Sequence, residues 1–172
     1  MIRKKKKYNR PRKAYESKRI QEENVLVQKY GLKNKREIWK ASANVNYYRT
    51  RAKVLAKASM EEQKILFNKL NAIGLKVSNI ADVLDLKVEN LLERRLPTVL
   101  FARKMAATPR QARQLVVHKK VLVDGNVVNS PSYLVPSALE KQISLRVSVK
   151  KSPAKHEQNT NSESQEQKEA KQ

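Results

Sequence analysis

Between residues 94 and 120 stand Arg94, Arg95, Lys104, Arg110, Arg113, Gln114, His118, Lys119 and Lys120, with no acidic residue among them. Guanidinium and ammonium groups at this density supply donors and positive charge without a carboxylate acceptor, which is the chemistry of holding phosphate oxygens. Catalysis needs other parts, and the sequence is poor in them. Asp82, Asp85 and Asp124 are the only aspartates; they fall in helical or turn contexts, and with three glycines in the whole chain a phosphate-cradling nucleotide loop is nearly excluded. There is no cysteine, and His118 and His156 are too far apart in sequence for a local metal clip. We expect no enzyme, no cofactor and no metal site.

The elements that must carry these cations are legible locally. Pro97 cannot sit inside a straight helix, so "VENLLERRLPTVLFARKMA" should break near Leu96, with Pro97 at the first position of a new helix. Thr108-Pro109-Arg110-Gln111 then repeats the grammar of a helix start: a Thr cap, a Pro and a Gln. Over residues 108–118, Ala112, Leu115 and Val116 share one face, Arg110, Arg113 and Gln114 lie opposite, and Val117 is the exception. "VLVDGNVV" places two β-branched runs around Asp124-Gly125, a hairpin signal in which Asp124 is a turn residue. Helix, helix and hairpin make a compact unit with a basic outer face.

Upstream, helices follow one another. "IQEENVLVQKYG" closes on Gly31, and "NKREIW" opens the next helix with Asn34 as N-cap and Glu37 three residues later. Ile38, Ala41, Val45, Tyr48, Ala52 and Leu55 form an apolar stripe, opposite Lys35, Arg36, Lys40, Arg49, Arg51 and Lys53. "SMEE" supplies a capping box from Ser59 to Glu62, Leu66, Leu70 and Ile73 make the next stripe, and Gly74 ends it. Trp39 reads as a partly buried anchor rather than a stacking platform. The fold class is α+β and mostly α.

Charge divides the chain into four parts. A basic N-terminal arm, residues 1–19, has ten basic residues against Glu16; a helical region, 20–93, has thirteen against nine acidic; residues 94–149 have ten against two; and the tail, 150–172, has five against four. The tail lacks aromatic residues and nearly all aliphatic ones, so it cannot offset its ordering entropy and is expected to be disordered. The arm includes Arg10, Arg12 and Lys13, interleaved with Tyr8 and Tyr15. It is either a solvated or targeting-like arm, or one that neutralises phosphates while its rings stack on bases or pack on the body.

A net charge of +22 on 172 residues calls for a polyanionic partner, nucleic acid first. An anionic membrane surface is second, but no apolar run approaches a spanning length and no signal-type apolar segment follows the first charges. We expect a cytosolic, unprocessed protein that is monomeric when free, because no self-complementary apolar stripe is left once the helices pair.

Taken in order, "ERRLPTVLFARKMAATPRQARQLVVHKKVLVDGNVVNSPSYLVP", residues 93–136, resembles the S-four RNA-binding domain, and "KYGLKNKREIWKA", residues 29–41, resembles the N-terminal region of the small-subunit ribosomal protein S-four family in its archaeal and eukaryotic form. The resemblance covers roughly residues 8–147 and is closest to the archaeal branch. It implies a structural role in the small ribosomal subunit in the cytoplasm: direct binding of small-subunit rRNA early in assembly, nucleation of the subunit body, and a place near the path where mRNA enters, beside ribosomal protein S-five, where decoding accuracy is influenced. It implies rRNA contacts by Arg94, Arg95, Lys104, Arg110, Arg113, Gln114, His118, Lys119 and Lys120, with Lys35, Arg36 and the arm residues Arg10, Arg12 and Lys13 on the other wall of a cleft. Such contacts clamp phosphates and read RNA shape. Two residue-level readings compete: Arg94 and Arg95 could pair with Glu89 or Glu93, and His118 could serve only as a helix C-terminal cation.

Three departures from the family pattern stand out. Lys104 and Lys119 occupy positions where the family commonly has glycine, so either the turns are rebuilt or two lysines adopt left-handed backbone. Pro97 replaces a usual polar residue, and "RRLPTVL" with "RKMA" resembles a U-three small nucleolar ribonucleoprotein subunit, a ribosome-assembly factor. The RNA-binding part of an RNA-modifying enzyme is the remaining alternative, for which 172 residues leave no room for a catalytic domain.

Overall fold

Four helices end in the same way, and that ending fixes their lengths. The computed structural model describes residues 6–146. Helix α1 (Ser17–Tyr30) stops where Gly31 takes φ 60°, its N–H donating to the Gln28 carbonyl and that of Leu32 to the Val27 carbonyl. Helix α2 (Lys35–Leu55) runs on to a loop, and α3 (Met60–Ile73) ends at Gly74, φ 89°, with the same pair of bonds from Gly74 to Asn71 and Leu75 to Leu70. Two short helices, α4 (Ile80–Asp85) and α5 (Val88–Glu93), lead to α6 (Leu96–Ala102). Helix α6 closes through Lys104, and α7 (Pro109–Val117) through Lys119. Each ending is a Schellman motif, in which a left-handed residue lets two otherwise orphaned carbonyls be satisfied.

The last part of the chain forms a three-stranded antiparallel sheet in the order β2-β1-β3, from β1 (Val121–Val123), β2 (Asn126–Val127) and β3 (Ile143–Leu145). Asp124 at φ 51° and Gly125 at φ 74° make the two-residue turn between β1 and β2, with positive φ at both central positions as a type I′ turn requires. Leu122 faces Val127 on one side and Ser144 on the other. Strand β3, preceded by a 3-10 turn at Glu140–Gln142, opens the alternating run "ISLRVSV", residues 143–149, a period-two signal that was not among the expectations.

Burial sorts into three clusters. Leu96, Leu100, Ala112, Val116, Val121 and Val135 centre the core shared by α6, α7 and the sheet. Val45, Ala52, Leu66, Leu70, Val83 and Leu91 join α2, α3, α4 and α5. Tyr30, Leu32, Ile38, Ala41 and Leu92 join α1, α2 and α5. Leu91 and Leu92, adjacent on α5, thus fall in different clusters and tie both to the same short helix. Backbone bonds from Leu96 N–H to the Tyr133 carbonyl and from Val135 N–H to the Arg94 carbonyl strap the α5–α6 junction to residues 133–135.

The α2 stripe and the face of α7 are as expected: Ile38, Ala41, Val45 and Ala52 are buried, as are Ala112 and Val116, while Val117 is exposed. Three local expectations need correction. The first helix begins at Ser17, inside the segment read as the arm. Helix α6 begins at Leu96, so Pro97 occupies its second position, equally free of any need to donate. Neither Asn34 nor Ser59 makes a side-chain cap bond; the capping box that does form, Asn79 with Asp82, opens α4. The tail, residues 150–172, and the first five residues of the arm lie outside the described residues.

Candidate nucleic-acid interface

Glu37 explains why the expected capping box is missing, because its carboxylate is occupied elsewhere. From the first turn of α2 it accepts from Arg95 Nη2 at 2.5 Å and from both terminal nitrogens of Arg113, at 3.0 and 2.8 Å. The pairing joins α2, the residue before α6, and the middle of α7. Arg95 is 6% exposed, so its charge is accommodated only while Glu37 is ionised beside it. Burial alone would raise the pKa of Glu37; the hydrogen bonds from Arg113 and Arg95 and their charges outweigh it and hold the carboxyl below its ordinary value. The cleft above this pairing, about 350 Å³, is also lined by Arg36, Lys40 and Asn44 of α2 and by Ser132.

Arg94 is committed in another direction. Its Nε donates to the Ile73 carbonyl at 2.9 Å, Nη2 to the Val135 carbonyl at 3.0 Å, and Nη1 pairs with Glu140 at 3.1 Å. The guanidinium lies against Gly74 so closely that a Cβ there would fall 2.6 Å from it. Glu89 and Glu93, the partners foreseen for Arg94 and Arg95, instead receive Lys29 and the Tyr30 hydroxyl. Arg94, Arg95 and Arg113 were expected among the rRNA contacts, Arg113 on the outer face of its helix. All three are engaged internally, Arg94 through three nitrogens, Arg113 through two and Arg95 through one, and Arg95 and Arg113 also line the cleft.

The remaining members of the set are exposed. Lys104, Arg110, Gln114, His118, Lys119 and Lys120 all stand out into solvent, and among the described residues no ion pair engages any of their side chains. Arg110 projects from the first turn of α7 and Gln114 from the following turn. Lys104 and Lys119 have φ 58° and 59°. The turns are therefore not rebuilt: each lysine takes the left-handed position that closes its helix, at a cost on the order of 1 kcal/mol relative to glycine. His118 is the C-cap of α7, with its backbone N–H on the Gln114 carbonyl.

On the other side of α2 the arm folds back onto the body. Tyr8 packs on Trp39 with ring centroids 6.1 Å apart, and the Arg36 guanidinium sits 5.6 Å from the Tyr8 centroid. Trp39 is half-buried, its indole N–H donating to Glu23 at 2.9 Å, in keeping with an anchor. Glu23 is buried and also holds Arg19 at 2.7 Å and Lys35 at 3.5 Å. Burial would raise its pKa, but the bonds from Trp39 and Arg19 and the nearby charges leave it lowered. Lys35, expected on a free wall, is thus partly neutralised, whereas Arg10, Arg12 and Lys13 remain exposed. Glu23 and Glu37 carried no sequence signal for these roles, since their partners lie on other elements.

Among the described residues no helix is long and apolar enough to cross a membrane, and no group of three His, Cys, Asp or Glu side chains stands together. The family model for the S4 domain matches residues 94–140. Over 164 residues the chain is 39% identical to "Small ribosomal subunit protein uS4" of Methanococcus aeolicus, which spans 91% of this chain and 93% of the relative. It is 41% identical over 144 residues to the protein of the same description from Methanothermobacter thermautotrophicus, covering 80% of this chain and 84% of the relative. The corresponding Picrophilus torridus protein is 40% identical over 147 residues, 80% of each chain.

Proposed function

This chain belongs to the small ribosomal subunit protein uS4 family, archaeal in type, and from that premise we propose that it is a structural constituent of the small ribosomal subunit, at work in the cytoplasm, that holds small-subunit rRNA through the exposed face of its S4 domain. One observation carries the assignment of the face: Lys104, Arg110, Lys119 and Lys120 gather around α6 and α7 in solvent, with no acidic side chain paired to them among the described residues. Unpaired surface cations in a cluster are a counterion-release site for phosphates. Gln114 and His118 add donors that reach ribose and phosphate oxygens on the same helix.

In this reading the interface has two walls. The S4 domain supplies one, and the arm with Arg10, Arg12 and Lys13, together with Arg36, supplies the other. Arg94, Arg95 and Arg113 hold the domain to α2 and α3 so that the walls keep their relation before RNA arrives, which lowers the ordering cost of binding. The role is structural and no proton has to move: Asp82 is consumed by the cap of α4 and Asp124 by the hairpin turn. The finer expectations follow from the same premise: early binding that nucleates the subunit body, a place near where mRNA enters, and ribosomal protein S-five as a neighbour with which decoding accuracy is influenced.

The test is a competition titration of labelled small-subunit rRNA body domain against unlabelled tRNA and heparin over a range of salt. Retention of the rRNA against excess competitor as salt rises supports the assignment. Equal competition by every polyanion, with binding collapsing as salt rises, overturns it and leaves only the +22 charge as the cause.

A further inference from the structure

The two tyrosines of the arm are placed in opposite ways. Tyr8 is half-buried against Trp39 and under Arg36, so its faces are taken by the body. Tyr15, seven residues on, is 95% exposed. Among the described residues it makes no hydrogen bond and no ring contact. Yet the backbone that carries it is held. Arg19 Nη2 donates to the carbonyls of Lys13 and Ala14 at 2.9 and 3.0 Å, while Nη1 of the same guanidinium is anchored on Glu23 at 2.7 Å. Glu23 is in turn fixed by the Trp39 indole. Tyr15 sits in the turn between this pinned segment and Ser17, the start of α1, and Arg10, Arg12, Lys13 and Lys18, within five residues of it in the chain, are exposed.

A large ring held nearly bare to water is an uncompensated apolar surface, and a fixed base for it means that little further entropy is lost when something covers it. Four exposed cations within five residues of Tyr15, against one carboxylate, Glu16, already paired with Arg19, select a polyanion as that cover, and among polyanions the one that also presents flat π-faces is a nucleic acid with unpaired bases. We infer that Tyr15 is a stacking platform for an unpaired base of the bound RNA, flanked by phosphate contacts from Arg12 and Lys13. The inference rests on the RNA-binding reading and adds to it a recognition element that distinguishes looped or junction RNA from continuous duplex. Tyr8, by contrast, serves only to dock the arm.

The full chain and its Tyr15→Ala and Tyr15→Phe variants are titrated with the small-subunit rRNA body domain, with tRNA, and with heparin, which has charge but no bases. Because Tyr15 is bare, both variants are expected to unfold at the wild-type midpoint. Tyr15→Phe keeps its face and binds RNA within about twofold of wild type, whereas Tyr15→Ala weakens RNA binding on the order of tenfold. Heparin binding is unchanged in both, and the salt slope with RNA is preserved because a lost stack releases no fewer counterions. Tyr15→Ala binding RNA within twofold of wild type, or losing as much on heparin as on RNA, overturns the inference. So does an equal loss in Tyr15→Phe, which would assign the effect to the hydroxyl. If the wild-type chain prefers rRNA no more than tRNA, the ribosomal reading fails instead, while the contrast between RNA and heparin still decides the stack.

Discussion

At the level of single residues, Lys104 and Lys119 place exposed charge at backbone positions that cost stability. Both hold φ near +60° at helix ends where Gly31 and Gly74 do the same work without strain. Lys104→Gly and Lys119→Gly are each expected to raise unfolding free energy by about 0.5–1 kcal/mol in denaturant melts, and at the same time to weaken rRNA binding and lower the salt slope by about one. Gly31→Ala has the opposite consequence for the fold, since it adds a left-handed penalty to a Cβ 2.8 Å from the Pro109 backbone; a loss of about 2 kcal/mol or more should appear in the same melts, and a neutral result would mean the contact relaxes freely. These sites were legible in sequence because helix endings are local: a glycine, or a lysine in a glycine's usual place, is visible without knowing what packs beside it. Exposure was not legible, and so Arg94 and Arg110 looked alike.

At the level of elements, the Glu37 pairing sets how α2 meets α6 and α7. Glu37→Ala leaves Arg95 as a buried charge without a partner and is expected to cost about 3–5 kcal/mol, with Glu37→Gln less severe because an amide oxygen still accepts. Chemical denaturation reads both, and equal stability of wild type and Glu37→Ala would show that the pairing does not hold the elements together. The pH dependence has a defined sign. The folded-state pKa of Glu37 and of Glu23 lies below the unfolded value, so their contribution is fully present above the ordinary carboxylate pKa and is lost as pH falls through the lower folded values. Stability should therefore decline from about pH 4.5 downward, less steeply in Glu37→Gln, and a stability that rises on acidification would contradict the assignment. The helices themselves could be read from stripes such as Ile38, Ala41 and Val45, and the hairpin from Asp124-Gly125. The clamp could not: Glu37 meets residues 58 and 76 positions away, and at sequence level its spacing from Asn34 pointed to a cap instead. Strand β3 is different: the alternation of "ISLRVSV", residues 143–149, marks it locally, and only its pairing with Val121, Leu122 and Val123 is set from outside the segment.

At the level of the whole molecule, the basic residues divide by partner. Those that meet acidic or carbonyl groups, Arg19, Arg94, Arg95 and Arg113 among them, join the helical region to the arm and to the S4 domain; those left in solvent are the ones the proposed function assigns to RNA. Charge pattern pointed to a polyanionic partner and the family resemblance to the kind of RNA, but only the packing separates cations engaged inside the protein from cations left in solvent. In the proposed function Lys104, Arg110, Lys119 and Lys120 hold rRNA phosphates while the clamped arginines hold the fold. The most direct measurement is the salt dependence of rRNA-body-domain affinity for wild type and for a variant with those four residues replaced by Gln, each with its denaturation midpoint. The account predicts that the slope of log affinity against log salt falls by about three in the variant, with a midpoint equal to that of wild type, since Gln keeps the same left-handed backbone cost as Lys. An unchanged slope in a folded variant would contradict it and place the phosphate contacts elsewhere on the protein.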